Sequence, residues 1–157
     1  MRKGTCGSSL KPYIRQASKD DLDALLSLEN ICYKEETFHM RQIKYLLRKA
    51  KSIILVAEIE RNIIGSMIIL LRKHILNARI YSLNVHPEFR RMGIASSLMD
   101  FASDLIEKKG YDNITLETGI NNNAAQNLYR SKGFYVDKKL SNYYTNGEDA
   151  FHLIRRL

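Results

Sequence analysis

The spacing of hydrophobic positions changes several times along the chain, and each change marks an element. Ile53 to Ile59 and Ile63 to Leu71 are short apolar, β-branched runs separated by Glu60-Arg61-Asn62, which predicts two antiparallel strands joined by a turn. Ile80 to Val85 alternates apolar and polar side chains, the period of a half-buried strand, and Pro87 requires that strand to end by His86. From Ile94 the period becomes helical, with Ile94, Leu98, Phe101 and Leu105 on one face. The pattern stops at Glu107-Lys108-Lys109-Gly110, with cations in the last turn and a glycine beyond it. Asn113 to Thr118 is another strand, so Ile80 to Thr118 reads as β-α-β with a right-handed crossover.

The remaining elements follow from local signals. Tyr13 to Gln16 predicts a first strand. Ser18-Lys19-Asp20-Asp21 is a helix start, followed by Leu22, Leu25, Leu26 and Ile31 on one side. A second helical pattern holds Ile43, Leu46 and Leu47. Asn121-Asn122-Asn123 offers caps to a short helix from Ala124 to Lys132, ended by Gly133. Phe134 to Lys139 and Ala150 to Ile154 are the last strands, with Asn146-Gly147 in the loop between them. The order predicts an α+β fold: a mixed, mostly antiparallel sheet with one parallel crossover and flanking helices.

Composition narrows the class. At 157 residues the chain has room for one substantial core, expected over residues 13–157 after a flexible tail of 1–12. The tail is basic but has no apolar stretch of the secretory kind, and no apolar run approaches the roughly 20 residues of a membrane helix. Cys6 and Cys32 make no disulfide framework and read as reduced thiols, which favours the cytoplasm. The four histidines (His39, His74, His86, His152) lack metal-ligand spacing, so no metal is expected. A net charge of +8 would suit an anionic cofactor, ribosomes or nucleic acid. No nucleic-acid motif accompanies the scattered basic pairs, and a generally basic surface is the simpler account.

Three stretches could carry chemistry. Between the strand ending near His86 and the helix from Ile94 lies Arg90-Arg91-Met92-Gly93-Ile94-Ala95. Glycine at a helix mouth lets a ligand approach the backbone, and unpaired N–H groups with two arginines suit a pyrophosphate. An ordinary strand–turn–helix with solvated arginines has the same pattern. Glu117 lies in mid-strand, opposite in sense to Ile114 and Leu116. A solvent-facing glutamate and a functional carboxylate both fit that placement. Tyr129, on the short helix, reads as a packing residue or a catalyst.

Arg90-x-x-Gly93-x-Ala95, after Ser-Leu-x-Val and before an amphipathic helix, resembles the acetyl-CoA signature of the GNAT acetyltransferase superfamily. Glu117-(x4)-Asn122-(x6)-Tyr129-(x3)-Gly133-Phe134 resembles the second signature of its RimI-type N-terminal acetyltransferases. Asn142-Tyr143-Tyr144-x-x-Gly147-Glu148-Asp149-Ala150 is similar to the peptide-binding hairpin of NatA-type catalytic subunits and their archaeal relatives. The resemblance implies the GNAT fold and transfer of acetyl from acetyl-CoA to the α-amine of protein N-termini, with Glu117 as general base and Tyr129 as general acid. It implies that Leu83, Asn84 and Val85 hold the pantetheine arm, that Arg91, Met92, Gly93, Ile94, Ala95 and Ser96 hold the pyrophosphate, and that Arg90, Asn122 and Tyr129 also contact the cofactor. Tyr143 and Tyr144 would clamp the substrate.

The loop Tyr33 to Phe38 departs from the family's Leu-Pro-Glu-Asn-Tyr. Glu35 or Glu36 would take the glutamate's place and Phe38 the aromatic's, at the wall of the peptide groove; a solvated loop fits the same residues. Implied partners are protein or peptide N-termini, ribosomal proteins or nascent chains among them, for a monomer or weak homo-oligomer with no membrane and no dedicated nucleic-acid site. Two alternatives stand beside this reading: acetylation of lysine side chains or a small amine, and a basic ribosome- or RNA-binding module on the same fold.

Overall fold

The structure is a computed structural model that describes residues 11–32, 40–48 and 51–157. The expectations for Cys6, Glu35, Glu36 and Phe38, and for most of the tail, lie outside the described residues. Seven strands form one sheet: β1 (Tyr13–Gln16), β2 (Ser52–Ile59), β3 (Asn62–Arg72), β4 (Asn77–Val85), β5 (Asn113–Gly119), β6 (Tyr135–Leu140) and β7 (Ala150–Arg156). Their order is β1-β2-β3-β4-β5-β7-β6. Every neighbouring pair is antiparallel except β4 and β5, which the crossover helix α3 (Ile94–Lys108) makes parallel. The remaining helices are α1 (Leu22–Cys32), α2 (Met40–Arg48) and α4 (Asn123–Ser131). The α+β class and the single crossover are as expected.

Strand periodicity sorts the core into two layers. Leu55, Ala57, Met67, Ile69, Ile80, Ile114 and Leu116 face one side and pack on Ile94, Leu98, Met99, Ala102 and Ile106 of α3. Ile54, Val56 and Ile68 face the other and pack on Leu25 of α1 and Ile43 of α2. Two residues placed on helix faces by spacing lie elsewhere. Phe101 is 38% exposed and Ile31 43% exposed. On α3 the small side chains Ala102 and Ser103 take the seam beside Ile106, so the buried stripe turns away from Phe101. On α1 the buried positions are Leu25, Leu28 and Glu29. The start of α1 does follow its sequence signal: Ser18 and Asp21 form a reciprocal capping box around a 3-10 turn.

A single irregularity opens the sheet. Ile69 pairs with Ile80 and Ile68 with Ser82, so Tyr81 is an extra residue on β4. Such a bulge bends a strand and increases its twist. The parallel ladder with β5 runs from Asn77 opposite Asn113 to Ile80 opposite Leu116 and goes no further. Beyond Tyr81, β4 stays with β3 while Glu117 to Gly119 of β5 stay with β7.

Candidate active site

Where β4 and β5 part, a cavity of about 920 Å³ opens through the sheet. One wall is Ile80 to Val85 of β4; the other is Leu116 to Gly119 of β5. Asn122, Ala124, Ala125, Leu128 and Tyr129 close it from α4, and Tyr144 to Asn146 with Glu148 reach it from the β6–β7 loop. Glu117, Tyr129, Asn122, Tyr144 and the Leu83–Val85 segment, far apart in sequence, therefore share one space.

Glu117 is held on both oxygens. Its Oε1 accepts from Arg79 Nε at 2.9 Å, and its Oε2 lies 2.7 Å from His152 Nδ1. Only 11% of its side chain is exposed, which excludes the solvent-facing reading. Arg79 extends the network by donating from Nη2 to the Tyr143 hydroxyl at 3.0 Å, and its guanidinium stands 5.4 Å from the centre of the Tyr81 ring. Burial opposes the charge of Arg79, but the Glu117 carboxylate outweighs it and holds the guanidinium above its ordinary range. Neither partner was visible in the strand pattern. Arg79 falls just before the alternation that begins at Ile80, and His152 faces Glu117 only because β5 pairs with β7.

Tyr129 lies on the cavity side of α4, its ring edge-on to Phe134 at 6.0 Å. Asn122 caps that helix, its side-chain oxygen accepting from the Ala125 N–H at 3.1 Å, and also lines the cavity. Gly119 precedes the cap, and a Cβ there would lie 2.7 Å from Glu148 Oε2, the mobile end of a side chain that could turn aside.

The cofactor-binding expectations divide. Leu83, Asn84 and Val85 form the unpaired edge of β4. The Asn84 side chain is buried; it donates to the Glu29 carboxylate, and its own Oδ1 is buried with no protein partner among the described residues. The Val85 carbonyl accepts from Arg90 Nε at 3.1 Å and faces the Cys32 sulfur at 3.5 Å, so Arg90 is turned back onto the strand. Burial pushes the Cys32 thiol up, against the pull of Arg90, and keeps it a donor. Arg91, Met92 and Gly93 are exposed at the helix mouth. Gly93 caps α3 at φ 81°, left-handed backbone that suits glycine. Ile94 has its side chain in the core against α3's neighbours, so only its backbone is free to meet a ligand. Ala95 lines the cavity and Ser96 is half-buried beside it.

The β6–β7 loop is internally fastened. The Tyr143 and Tyr144 N–H groups both donate to the Glu148 carbonyl, and Gly147 N–H donates to the Tyr144 carbonyl at 2.9 Å. The two tyrosine rings meet edge-to-face at 5.0 Å. Tyr144 faces the cavity, whereas Tyr143 is tied to Arg79. The Asn142 N–H at 2.8 Å, with Lys139 nearby, holds the Asp149 carboxyl below the usual range.

A parted parallel strand pair, a β-α-β crossover with a glycine-capped helix and a carboxylate beside the opening gather the candidate site at one place in the sheet. The profile of the Acetyltransferase (GNAT) family matches residues 19–134, and the chain belongs to that family. Among its relatives, N-alpha-acetyltransferase 30 of Saccharomyces cerevisiae is 42% identical over 79 residues, 50% of this chain and 45% of that protein. An N-alpha-acetyltransferase of Sulfurisphaera tokodaii is 27% identical over 150 residues, 88% of this chain and 89% of that protein. A solved NatC complex, bound to Gag peptide and CoA, contains a chain 26% identical to this one, with a TM-score of 0.79 over 94% of this chain and 99% of that one. The chain spans about half the length of the two yeast relatives named N-alpha-acetyltransferase 30. No helix among the described residues is long and apolar enough to cross a membrane.

Proposed function

We propose that the protein transfers the acetyl group of acetyl-CoA to the α-amine of protein or peptide N-termini. The observation that carries the reading is the parting of β4 from β5, which gathers Glu117, Tyr129, an unpaired strand edge and Tyr144 around one cavity. The relatives' names and the peptide and CoA bound to the NatC complex support it. The finer likeness, to RimI and NatA catalytic subunits in the cytoplasm, rests on the Glu117 to Phe134 signature, the Tyr143-Tyr144 hairpin and the reduced-thiol reading of the cysteines.

The residues fit acetyl-CoA. The edge from Ser82 to Val85 has no β5 partner, and Asn84 Oδ1 is an unsatisfied acceptor. A chain bearing amides can add to such an edge as a further strand would. The backbone of Gly93 to Ser96, with Arg91 beside it, would take the pyrophosphate. When bound, acetyl-CoA supplies an activated thioester carbonyl and a thiolate leaving group. Glu117 would accept the proton of the attacking amine, directly or through a water, and the Tyr129 hydroxyl would hold the proton destined for sulfur. The β4 N–H groups would face the charge developing on the carbonyl oxygen. Tyr144 and the Tyr33–Phe38 loop would flank the peptide.

The α-amine is the easier nucleophile. Its ordinary pKa lies near 8 against about 10.4 for lysine, a difference of roughly 3 kcal/mol in deprotonation. The test is acetyl transfer to short peptides that vary at residue one, each with its α-amine free or blocked and an internal lysine retained. Transfer confined to free α-amines is expected. Transfer surviving the block would move the acceptor to lysine, and an enzyme silent on every peptide but active on polyamines would remove the peptide reading.

A further inference from the structure

The strands bring His152 of β7 against the buried oxygen of Glu117, and nothing in the reaction as described uses it. The pair is close at 2.7 Å, and the His152 side chain is 20% exposed. An ionised carboxylate only accepts hydrogen bonds, so the proton between them resides on Nδ1. Protonation of the ring then takes place at Nε2. That nitrogen points the other way, 4.0 Å from Asp137 on edge strand β6, whose side chain is 49% exposed.

We infer that His152 is a positioning residue for Glu117: its Nδ1–H fixes the carboxylate, and a proton arriving at Nε2 from the Asp137 side withdraws Glu117 from proton transfer. The inference rests on the reading of Glu117 as the base. Neutral His152 supplies a hydrogen bond and leaves one cation, Arg79, on the carboxylate. Protonated His152 makes it two, and a carboxylate between two cations is a weaker base. The charged groups around the imidazole are Glu117 from β5, Arg79 from β4 through Glu117, and Asp137 with the cross-strand neighbour Lys138 from β6. Asp137 brings a negative charge to the Nε2 side, and Lys138 stands opposite His152 across the β6–β7 ladder. Edge strand β6 thereby reaches the reacting carboxylate through one side chain.

The test compares the pH dependence of kcat in the full chain with that of three variants, on a free α-amine peptide at saturating acetyl-CoA. His152→Asn keeps a donor near the Nδ1 position without a titrating ring. It should retain most of the plateau rate and move the acid limb to lower pH. His152→Leu loses the donor and should lower plateau kcat about tenfold with little change in peptide KM. Asp137→Asn should move the acid limb in the same direction and by less, as an exposed pair allows. An acid limb that stays in place in His152→Asn would overturn the inference.

A second readout needs no turnover. Nitrogen-15 imidazole spectra of the wild-type chain should show neutral His152 with its proton on Nδ1, and that tautomer preference should weaken once Glu117→Gln removes the carboxylate. A proton on Nε2, or a tautomer indifferent to Glu117→Gln, would overturn the inference even if no peptide were acetylated. Loss of transfer to every α-amine with that coupling intact would instead count against the proposed function alone.

Discussion

The two halves of the sheet are built for different ends. From β1 to β4 the ladders are long and antiparallel, and both faces are covered, by α3 on one side and by α1 and α2 on the other. From β5 to β6 only the α3 face is packed with apolar side chains. The opposite face carries Glu117, His152 and Tyr135, joined to the first half by four parallel residue pairs. Each half holds one arginine–carboxylate knot. Arg15 grips Asp21 with two hydrogen bonds of 2.8 and 2.9 Å and reaches Glu58, tying β1 to β2 and to the start of α1. Arg79 grips Glu117 once and turns its other nitrogen to Tyr143 at the rim of the cavity. The first knot joins elements; the second orders the carboxylate proposed as the base. Similar chemistry serves stability where the neighbours are all structural, and reaction where a cavity adjoins it.

The largest effect should come from the open half. Glu117→Gln keeps one acceptor oxygen, for Arg79 or His152 but not both, and cannot take a proton, so kcat should fall by about 10²- to 10⁴-fold, as removal of a general base does. Tyr129→Phe should act in the same range through the leaving group. Urea unfolding of either variant should move by no more than about 1 kcal/mol, because each substitution keeps the side chain's volume. Wild-type turnover in the double variant would strip both residues of their roles. A collapse of stability would deny that the open half is dispensable to the core.

The covered half should answer in the opposite way. Leu98 is fully buried under the sheet, and Leu98→Ala should cost about 2–5 kcal/mol of unfolding free energy. Turnover of the fraction that remains folded should hardly change, measured well below the new midpoint. Equal losses of stability and kcat would mean that the two halves are coupled through α3, and the contrast would fail.

The halves also differ in how openly the sequence states them. The β2–β3 hairpin is legible because both strands are continuous apolar runs, and their burial on two faces demands that composition. Even there the turn defies the usual residues: Glu60 and Arg61 both adopt positive φ, at 51° and 69°, without a glycine. The motif residues around the cavity could be grouped by resemblance, since Glu117, Asn122 and Tyr129 lie close in sequence. Their partners could not. Arg79 and His152 meet Glu117 through strand order, and no local period shows that β7 inserts between β5 and β6. Glu29 was hidden for a related reason. A carboxylate on a helix reads as a solvent-facing residue until a buried amide, here Asn84, is placed against it.

The smallest and most local effect concerns the structural knot. Arg15 holds the Asp21 carboxyl below the usual aspartate range; burial opposes the shift, and the Ser18 N–H supports it. A carboxyl depressed in the folded state binds protons more readily when unfolded. Its contribution is therefore complete above the unfolded value near 3.9 and is lost as pH falls through the lower, folded value. Asp21→Asn should lower stability at neutral pH and flatten the loss of stability below about pH 4, with turnover at neutral pH unchanged. Urea midpoints across that range would check it. If the variant lost stability with acid as steeply as the wild type, Asp21 would not be the titrating group. If it instead altered peptide turnover, the knot between β1 and β2 would reach the cavity, and the division between a structural half and a reactive half would have to be redrawn at β4.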